Sequence, residues 1–307
     1  MKVLLIGLGS IAGRHIQNLK EILGDGVSIT VLRSGYGSAA KPEIVSKTDV
    51  VCYDEESLDS RYDAVFITNP ASLHYDTLRK YQRLSDCFFI EKPVFMTGNE
   101  DLGPFRNDQK IYYTACPLRY CGVIQYLKSH IDFSAVYSMR CISSSYLPDW
   151  RPQTDYRRSY SAHRDMGGGV SIDLIHEWDY IQYLAGPPQT VKSLIRKKSG
   201  LETDSDDIAV YIAEYEDKLV EIHLDYFGRR TIRRLELFMR DDTVVADLLN
   251  QKIEWLREGR QIAFSSERDD YQKQELIHFL DMINGTCGPD SSLEDACRIL
   301  RTARGME

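Results

Sequence analysis

The chain has 307 residues, of which 43% are hydrophobic and 27% charged, and its formal net charge is −8. This length exceeds one hydrophobic core and predicts two domains, while the acidic balance argues against non-specific nucleic-acid binding. The seven cysteines are scattered without a CxxC pair, which argues against a disulfide framework or a zinc site. No apolar run reaches the roughly 20 residues needed to cross a bilayer. Since the short apolar start runs straight into a glycine turn, we expect no signal peptide, no membrane partner and a cytoplasmic protein.

The first third of the chain alternates short apolar runs with helical patterns. A helix is predicted where Ile16, Leu19 and Leu23 recur at helical spacing. The predicted strands are residues 3–6, 27–32, 64–68 and 87–90. This alternation is typical of a parallel sheet covered by helices, and it predicts a Rossmann dinucleotide-binding domain over residues 1–118.

The pattern changes after residue 118. Helices are predicted at residues 122–131, at 169–184 and near the end of the chain, where Leu276, Phe279, Leu280 and Ile283 share a face. The predicted strands are residues 135–142, 208–215, 219–226, 233–239 and 244–247, and a polar, aromatic loop occupies residues 143–165. Strands joined by short turns predict an open, mainly antiparallel sheet. We therefore expect an α/β domain over residues 119–307 that binds substrate and supports oligomerisation.

The sequence GLGSIA at residues 7–12 follows the first strand and opens the first helix. In such a fingerprint, Gly7 permits the tight turn and Gly9 lets the backbone approach the pyrophosphate of a dinucleotide. Ser10 and Ile11 then offer the backbone N–H groups of a helix N-terminus to the phosphates. The motif predicts dinucleotide binding; the alternative interpretation is an ordinary surface turn.

Arg33 and Ser34 occupy the position after the second strand, where NAD-binding proteins usually carry an acidic residue. A guanidinium and a hydroxyl favour a 2′-phosphate, which a carboxylate would repel. The sequence therefore predicts NADP as the cofactor, with NAD as the alternative. The alternative interpretation of Arg33 is a solvated surface arginine.

Four further motifs follow in order: TNPASLH at residues 68–74, EKPV at 91–94, LRY at 118–120 and GGGVSIDLIHEWD at 167–179. With the glycine turn, they resemble the glucose-fructose oxidoreductase, inositol dehydrogenase and rhizopine-catabolism (Gfo/Idh/MocA) family over nearly the whole chain. The loop at residues 146–162 resembles a bacterial branch of that family associated with surface-polysaccharide and nonulosonic-acid sugars.

The resemblance implies a catalytic set. His176 would act as the base that accepts the hydroxyl proton of a secondary alcohol. Lys92 would stabilise the developing alkoxide, and Asp173 would orient or tune His176, although many relatives space these two residues by four positions instead of three. We expect these three side chains to converge on the nicotinamide. The resemblance also implies cofactor contacts from Thr68, Asn69, His74, Glu91 and Lys92.

The aromatic loop predicts the substrate class. Aromatic faces stack on sugar rings and arginine forks bind carboxylate or phosphate, which favours an anionic sugar or a sugar nucleotide. The alternative is a charged surface loop or a subunit contact. The predicted substrate-binding residues are Arg119, Trp150, Arg151, Tyr156, Arg157 and Tyr160; beside Arg119, Pro117 stands where the family commonly has asparagine.

Three functions remain open on the sequence. The first is an NAD(P)-dependent oxidoreductase acting on the CH–OH group of a sugar or sugar nucleotide. The second is a glycosidase of the same fold that keeps its nicotinamide bound through oxidation, elimination and re-reduction. The third is a non-catalytic dinucleotide-sensing regulator, against which Lys92 and His176 argue. Relatives often pair through the outer face of the antiparallel sheet, so we expect a homodimer or homotetramer.

Overall fold

The computed structural model describes residues 1–35, 41–107, 109–265 and 268–306, and these fold into fourteen strands and eight α-helices. The strands are β1 (Lys2–Ile6), β2 (Ser28–Leu32), β3 (Val50–Cys52), β4 (Ala64–Ile67), β5 (Cys87–Ile90), β6 (Ile111–Thr114), β7 (Val136–Tyr146), β8 (Thr190–Arg196), β9 (Ile208–Glu214), β10 (Leu219–Asp225), β11 (Phe227–Met239), β12 (Thr243–Asp247), β13 (Lys252–Trp255) and β14 (Arg260–Ala263). The helices are α1 (Ser10–Leu23), α2 (Pro42–Val45), α3 (His74–Tyr81), α4 (Gly122–His130), α5 (Val170–Asp173), α6 (His176–Ala185), α7 (Arg268–Ile283) and α8 (Leu293–Ala303).

The chain divides into two compact units. Met1–Pro117 and Arg268–Cys297 form the first, and Leu118–Glu267 and Arg298–Glu307 form the second. The sequence-based division placed all of residues 119–307 together, whereas α7 returns to the first unit. An amphipathic pattern shows that a helix has an apolar face, but it does not identify the part of the protein against which that face packs.

The first unit contains a six-stranded parallel sheet in the order β3-β2-β1-β4-β5-β6. This is the doubly wound Rossmann order, which reverses direction between β1 and β4 and places ligands at the carboxyl ends of the strands. The runs that form β1 and β4 are buried on both faces because helices cover the sheet. The Rossmann prediction is confirmed; the short strands β3 and β6 were not predicted.

Aromatic rings explain why α7 belongs to the first unit. The ring of Phe279 on α7 lies 5.7 Å from that of Phe66 and 5.3 Å from that of Phe89, and these two sheet residues stack at 4.9 Å. His15 on α1 adds an edge contact to Phe89 at 5.0 Å. These fully or almost fully buried rings form the core between the sheet and its helices.

The second unit contains an eight-stranded sheet in the order β14-β13-β12-β11-β7-β10-β9-β8. Its neighbouring strands run antiparallel except for β7 and β10, which are parallel. The predicted open, mainly antiparallel sheet is therefore confirmed. The strands β8, β13 and β14 were not predicted, and β7 continues to Tyr146, four residues beyond its predicted end.

The predicted continuous helix over residues 169–184 is wrong. The structure has two helices there, because Leu174, at φ −99° and ψ 30°, leaves helical geometry after α5. Leu174 and Ile175 are both buried, so the apolar pattern continues across the break and does not reveal it.

Candidate active site

The glycine turn after β1 forms an open cradle at the start of α1. Gly7 has φ +102°, and a side-chain Cβ there would lie 2.8 Å from the backbone nitrogen of Asn69, so only glycine fits between the ends of β1 and β4. At Gly9, by contrast, a Cβ would meet no described atom within 4 Å. Gly9 is the N-cap of α1, and the first helical turn, which starts with Ser10 and Ile11, contains no acidic residue. This open, positively polarised helix end fits the pyrophosphate of a dinucleotide.

Arg33 and Ser34 follow β2, next to β1 in the sheet. The backbone nitrogen of Arg33 donates to the Cys52 carbonyl at 2.9 Å, which fixes the chain at the end of β2. The guanidinium lies 5.8 Å from the centre of the exposed Tyr53 ring. A cation therefore follows the carboxyl end of β2, and its aromatic neighbour Tyr53 was not predicted from the sequence.

The loop after β4 is tied to the glycine turn. The Thr68 hydroxyl is 3.1 Å from both the Ile6 and Gly7 carbonyl oxygens, to which it donates. The Asn69 amide nitrogen donates to the Thr77 hydroxyl on α3 at 2.8 Å. Thr68 and Asn69 therefore fix the loop that borders the cradle.

His74 connects the loops that follow β4 and β5, at the carboxyl ends of the sheet strands. Its Nδ1 lies 3.1 Å from the carbonyl oxygens of Pro93 and Val94, and its Nε2 lies 2.9 Å from that of Asn69. Burial lowers the pKa of this 1% exposed imidazole, and the backbone carbonyls around it oppose that shift. Both nitrogens face backbone carbonyls, so His74 positions the loops around the cradle.

Glu91 and Lys92 follow β5, at the same edge of the sheet. Glu91 Oε1 accepts a 2.6 Å hydrogen bond from His15 Nε2 on α1, and Oε2 accepts one from the Lys92 backbone nitrogen at 3.2 Å. Burial opposes ionisation of Glu91, but the hydrogen bond and charge of His15 outweigh it and lower the pKa of the carboxyl group. The Lys92–Pro93 peptide is cis.

His15 is the second residue that the sequence analysis missed. It lies four positions before Leu19 on the buried face of α1, and its side chain is 3% exposed. A histidine on an apolar helix face needs a polar partner, so the pattern carried a signal that was available from the sequence.

In the second unit, Asp173 is held by two tyrosines. The Tyr160 hydroxyl donates to Asp173 Oδ1 and the Tyr226 hydroxyl donates to Oδ2, both at 2.5 Å. Burial, followed by the negative charge of Asp173, raises the pKa of both hydroxyl groups. The tyrosines therefore stay protonated and act as donors, and Asp173 is a fixed acceptor on α5. Tyr226 was not predicted.

A second aspartate caps the start of α5. The Asp206 carbonyl accepts from the Val170 backbone nitrogen and its carboxylate accepts from that of Ser171, both at 2.9 Å. Gly169, at φ +133°, leaves room for this cap, since a Cβ would lie 2.3 Å from Asp206 Oδ1. The glycine run thus serves the helix start that carries Asp173.

His176 is the first residue of α6 and is partly exposed. Because of the break at Leu174, Asp173 ends one helix and His176 begins the next, so the two residues do not lie on one continuous helix as the predicted helix over residues 169–184 implied. The adjoining Glu177 is buried, and its Oε1 accepts from Arg233 Nε on β11 at 2.7 Å. This ion pair anchors the start of α6 to the sheet.

The predicted substrate residues fall into two environments. Arg119 is 4% exposed and makes a bidentate ion pair with Asp179, at 3.0 and 2.7 Å. Arg157 pairs with Asp155 at 2.8 Å and with Glu202 at 3.2 Å. These two guanidinium groups already have carboxylate partners in the folded chain.

The other predicted substrate residues lie around the loop that follows β7. Trp150 is 38% exposed, and its indole nitrogen donates to the Ser145 hydroxyl at 2.9 Å. Arg151, the next residue, is exposed, and the Tyr156 hydroxyl accepts from the Glu202 backbone nitrogen at 3.1 Å. The Tyr160 ring is partly exposed, although its hydroxyl points to Asp173. Trp150, Arg151 and Tyr160 therefore offer surface to a ligand.

The seven cysteines are free thiols. Within the described ranges, no helix combines the length and the apolarity that crossing a membrane requires.

Comparisons with known proteins agree with this architecture. Residues 1–101 match the model of an oxidoreductase family with an NAD-binding Rossmann fold, and residues 124–244 match the GFO/IDH/MocA C-terminal domain. Two curated relatives, both called uncharacterized oxidoreductases, are 23% identical: sll0816 of Synechocystis over 50% of this chain and 43% of its own length, and YrbE of Bacillus subtilis over 61% and 54%. The chain spans about half the length of these relatives.

Solved structures share the fold over nearly the whole chain. UDP-N-acetylglucosamine 3-dehydrogenase GnnA from Acidithiobacillus ferrooxidans superposes with a TM-score of 0.79 at 20% identity, covering 99% of this chain and 95% of that one. Levoglucosan dehydrogenase, in complex with NADH and levoglucosan, gives 0.82 at 15% identity with coverage of 99% and 95%. The WlbA dehydrogenase of Bordetella pertussis, in complex with NADH and UDP-GlcNAcA, gives 0.77 at 14% identity with coverage of 99% and 94%. With both family models matched in order, the chain belongs to the GFO/IDH/MocA family of oxidoreductases and carries an NAD-binding Rossmann domain.

Proposed function

We propose that this protein is a dehydrogenase that transfers a hydride between a nicotinamide cofactor and a secondary alcohol or ketone of a sugar or sugar nucleotide. The observation that carries the proposal is the carboxyl edge of the Rossmann sheet. There the open cradle at Gly9 and the ammonium-bearing Lys92 follow strands of one sheet, and Glu91 holds the Lys92 backbone. Open α/β sheets bind ligands at this edge.

Each catalytic residue has a proposed role. The bound nicotinamide supplies the hydride acceptor or donor. The Lys92 ammonium group stabilises the oxyanion that develops on the substrate, and His176 accepts the hydroxyl proton. Asp173, fixed by Tyr160 and Tyr226 three residues before His176, orients or tunes that imidazole.

For the cofactor, we propose a preference for NADP(H) over NAD(H). Arg33 places a guanidinium where an acidic residue would select the unphosphorylated ribose, and Ser34 adds a hydroxyl beside it. A cytoplasmic location is part of the same proposal, since seven free thiols suit a reducing compartment.

The substrate class follows from the exposed aromatic loop and from the neighbours. By their names, the similar structures act on or bind UDP-N-acetylglucosamine, levoglucosan and UDP-GlcNAcA. A partly exposed Trp150 beside an exposed Arg151 fits a sugar ring with a negatively charged substituent. We extend this to a role in bacterial surface-polysaccharide sugar metabolism.

We also propose a homodimer or homotetramer that pairs through the second sheet. Leu194, Ile212 and Leu219 are 63%, 42% and 50% exposed and share the face opposite the buried Tyr211. Sedimentation velocity should show an oligomer, and Leu219→Arg should shift it toward the monomer. A monomeric wild-type protein contradicts this part of the proposal.

The decisive experiment is a turnover assay with sugars and sugar nucleotides in the presence of NADP⁺ or NAD⁺. A dehydrogenase produces reduced cofactor in proportion to oxidised sugar. A glycosidase that re-reduces its intermediate would release a cleaved sugar without net reduced cofactor, and a regulator would do neither.

His176→Ala should lower kcat while cofactor affinity stays unchanged, because the base acts on the substrate. Full activity of this variant would remove His176 from the mechanism.

A further inference from the structure

Strand β11 carries a large bulge next to the aromatic loop. Phe227 pairs with Tyr146 and Ile232 pairs with Ser144, so residues 228–231 of β11 stand opposite the single residue Ser145 of β7. We call residues 228–231 the arginine bulge, because Arg229 and Arg230 lie within it. Bulges of this kind project side chains out of a sheet and recur beside functional sites.

The residues at the base of the bulge hold it in place. Asp225 Oδ1 accepts from the backbone nitrogens of Phe227 at 3.0 Å and Gly228 at 2.7 Å, and its Oδ2 pairs with His223 at 3.0 Å. At Gly228 a Cβ would lie only 1.9 Å from the Ser144 hydroxyl oxygen and 3.1 Å from the Ser144 Cβ, so a side chain there would displace Ser144. The bulge is therefore a specified feature of the fold.

The two arginines of the bulge are exposed, and no described carboxylate lies within 4.0 Å of either guanidinium. On the regular part of the same strand, Arg233 pairs with Glu177 at 2.7 Å and Arg234 with Glu236 at 2.6 Å. In a protein with a net charge of −8, two adjacent cations without a carboxylate partner form a local anion-attracting site.

Arg229 is also preoriented. Its guanidinium carbon lies 3.8 Å from the centre of the Tyr146 ring, at the end of β7. Stacking on an aromatic face holds the guanidinium plane while its N–H donors stay directed outward. This lowers the entropy cost of ordering the side chain around an anion.

The bulge adjoins the group around Asp173. Tyr226, the residue before β11, donates to Asp173 and contacts the Trp150 ring edge-on at 5.3 Å. Arg229 is three residues further along the chain, a separation of at most about 11 Å. The bulge is therefore within reach of one end of a sugar nucleotide whose sugar ring lies near Asp173.

We propose that Arg229 and Arg230 bind the diphosphate of a nucleotide-linked sugar. The inference rests on the proposed function and narrows its substrate class, because a neutral free sugar has no use for two guanidinium groups. Adjacent arginines offer paired N–H donors that match the oxygens of a diphosphate. The same chemistry also fits the single phosphate of a sugar phosphate. The test distinguishes the two by comparing the binding of UDP with the binding of glucose 1-phosphate.

The test uses the full chain and titration calorimetry with UDP, UDP-N-acetylglucosamine and glucose 1-phosphate. The variants are Arg229→Ala, Arg230→Ala and Arg230→Lys, and Arg240→Ala is the matched control, since Arg240 is exposed just beyond the far end of β11. Each alanine variant should weaken UDP binding about tenfold, the cost of one charged hydrogen bond. Arg230→Lys should recover only part of the affinity, because lysine cannot form the bidentate fork. The control should bind UDP like the wild type.

Several outcomes would overturn the proposal. These are a wild-type protein that does not bind UDP, equal UDP affinity in all variants, or glucose 1-phosphate binding as tightly as UDP. Loss of oligomerisation in Arg229→Ala or Arg230→Ala with unchanged UDP affinity would assign the bulge to a subunit contact. Turnover keeps the two proposals apart: oxidation of a free sugar by NADP⁺ without UDP binding would uphold the dehydrogenase and reject the diphosphate site. UDP binding without turnover of any sugar would uphold the diphosphate site and reject the dehydrogenase.

Discussion

Tyr226 donates its hydroxyl hydrogen to Asp173 across 2.5 Å, and both residues are almost completely buried. The bond links the end of the sheet strand β10 to the short helix α5, directly before the break that leads to His176. A buried carboxylate needs such donors, because burying it without them costs several kcal/mol.

Removing this donor should lower turnover. In Tyr226→Phe, Asp173 loses one of its two tyrosine hydrogen bonds, and a hydrogen bond to a charged group contributes about 1.5–3 kcal/mol. We expect kcat to fall on the order of tenfold or more, with cofactor affinity unchanged. Tyr211→Phe is the control, since its buried hydroxyl donates to the Ala303 carbonyl instead. If both variants lose stability equally and neither loses kcat at a temperature where it is folded, Tyr226 is only structural.

The two glycines of the cradle should respond differently to alanine. Gly7→Ala forces a Cβ onto the Asn69 backbone at φ +102°, and we expect it to destabilise the fold by about 1–3 kcal/mol. Gly9→Ala meets open space, so thermal stability should stay close to wild type while dinucleotide affinity falls, because the methyl group occupies the path of the pyrophosphate. Calorimetric cofactor titration and thermal unfolding measure both effects. Gly26→Ala, also in open space, should change neither; unchanged affinity in Gly9→Ala would place the cofactor elsewhere.

Glu91 should make stability depend on pH in the acidic range. Its pKa in the folded protein lies below the ordinary value of a glutamate side chain, so the unfolded chain binds a proton more readily. The stabilisation from this carboxylate is present above the unfolded pKa and is lost as the pH falls through the lower, folded pKa. Denaturant unfolding between about pH 6 and pH 3 should therefore show a smaller acid loss in Glu91→Gln than in the wild type. Glu21→Gln, at an exposed pair with Lys273, should behave much more like the wild type.

Arg33 should read the 2′-phosphate. Arg33→Ala should weaken NADP(H) by about 1–3 kcal/mol and leave NAD(H) nearly unchanged, because only the phosphate offers an anion to the guanidinium. Titration of both cofactors measures the difference. Arg61→Ala is the control for loss of a surface charge, since Arg61 precedes β4 and lies at the amino ends of the strands, opposite the carboxyl ends where Arg33 lies. Equal weakening of both cofactors would show that Arg33 does not select the phosphate.

The sequence by itself determined the fold and part of the candidate site. The doubly buried runs that form β1, β4 and β5 are visible as apolar stretches, and GLGSIA places a glycine turn between a strand and a helix. These are local signals, because periodicity and turn residues act over a few positions. For the same reason Gly7 and Gly9 could be named from local pattern alone, whereas Lys92 was named only from the resemblance of the EKPV motif to the family.

Only the tertiary structure decided which groups meet. Tyr226 and Asp173 are 53 residues apart in the sequence, and α7 is separated from the Rossmann sheet by an even longer stretch of chain. No local pattern encodes such pairings. The structure also showed that Arg119 is held by Asp179 whereas Arg229 and Arg230 lack carboxylate partners among the described residues. Composition gives the number of charges in a chain, but the packing of strands and loops determines which of them are neutralised and which remain available to a ligand.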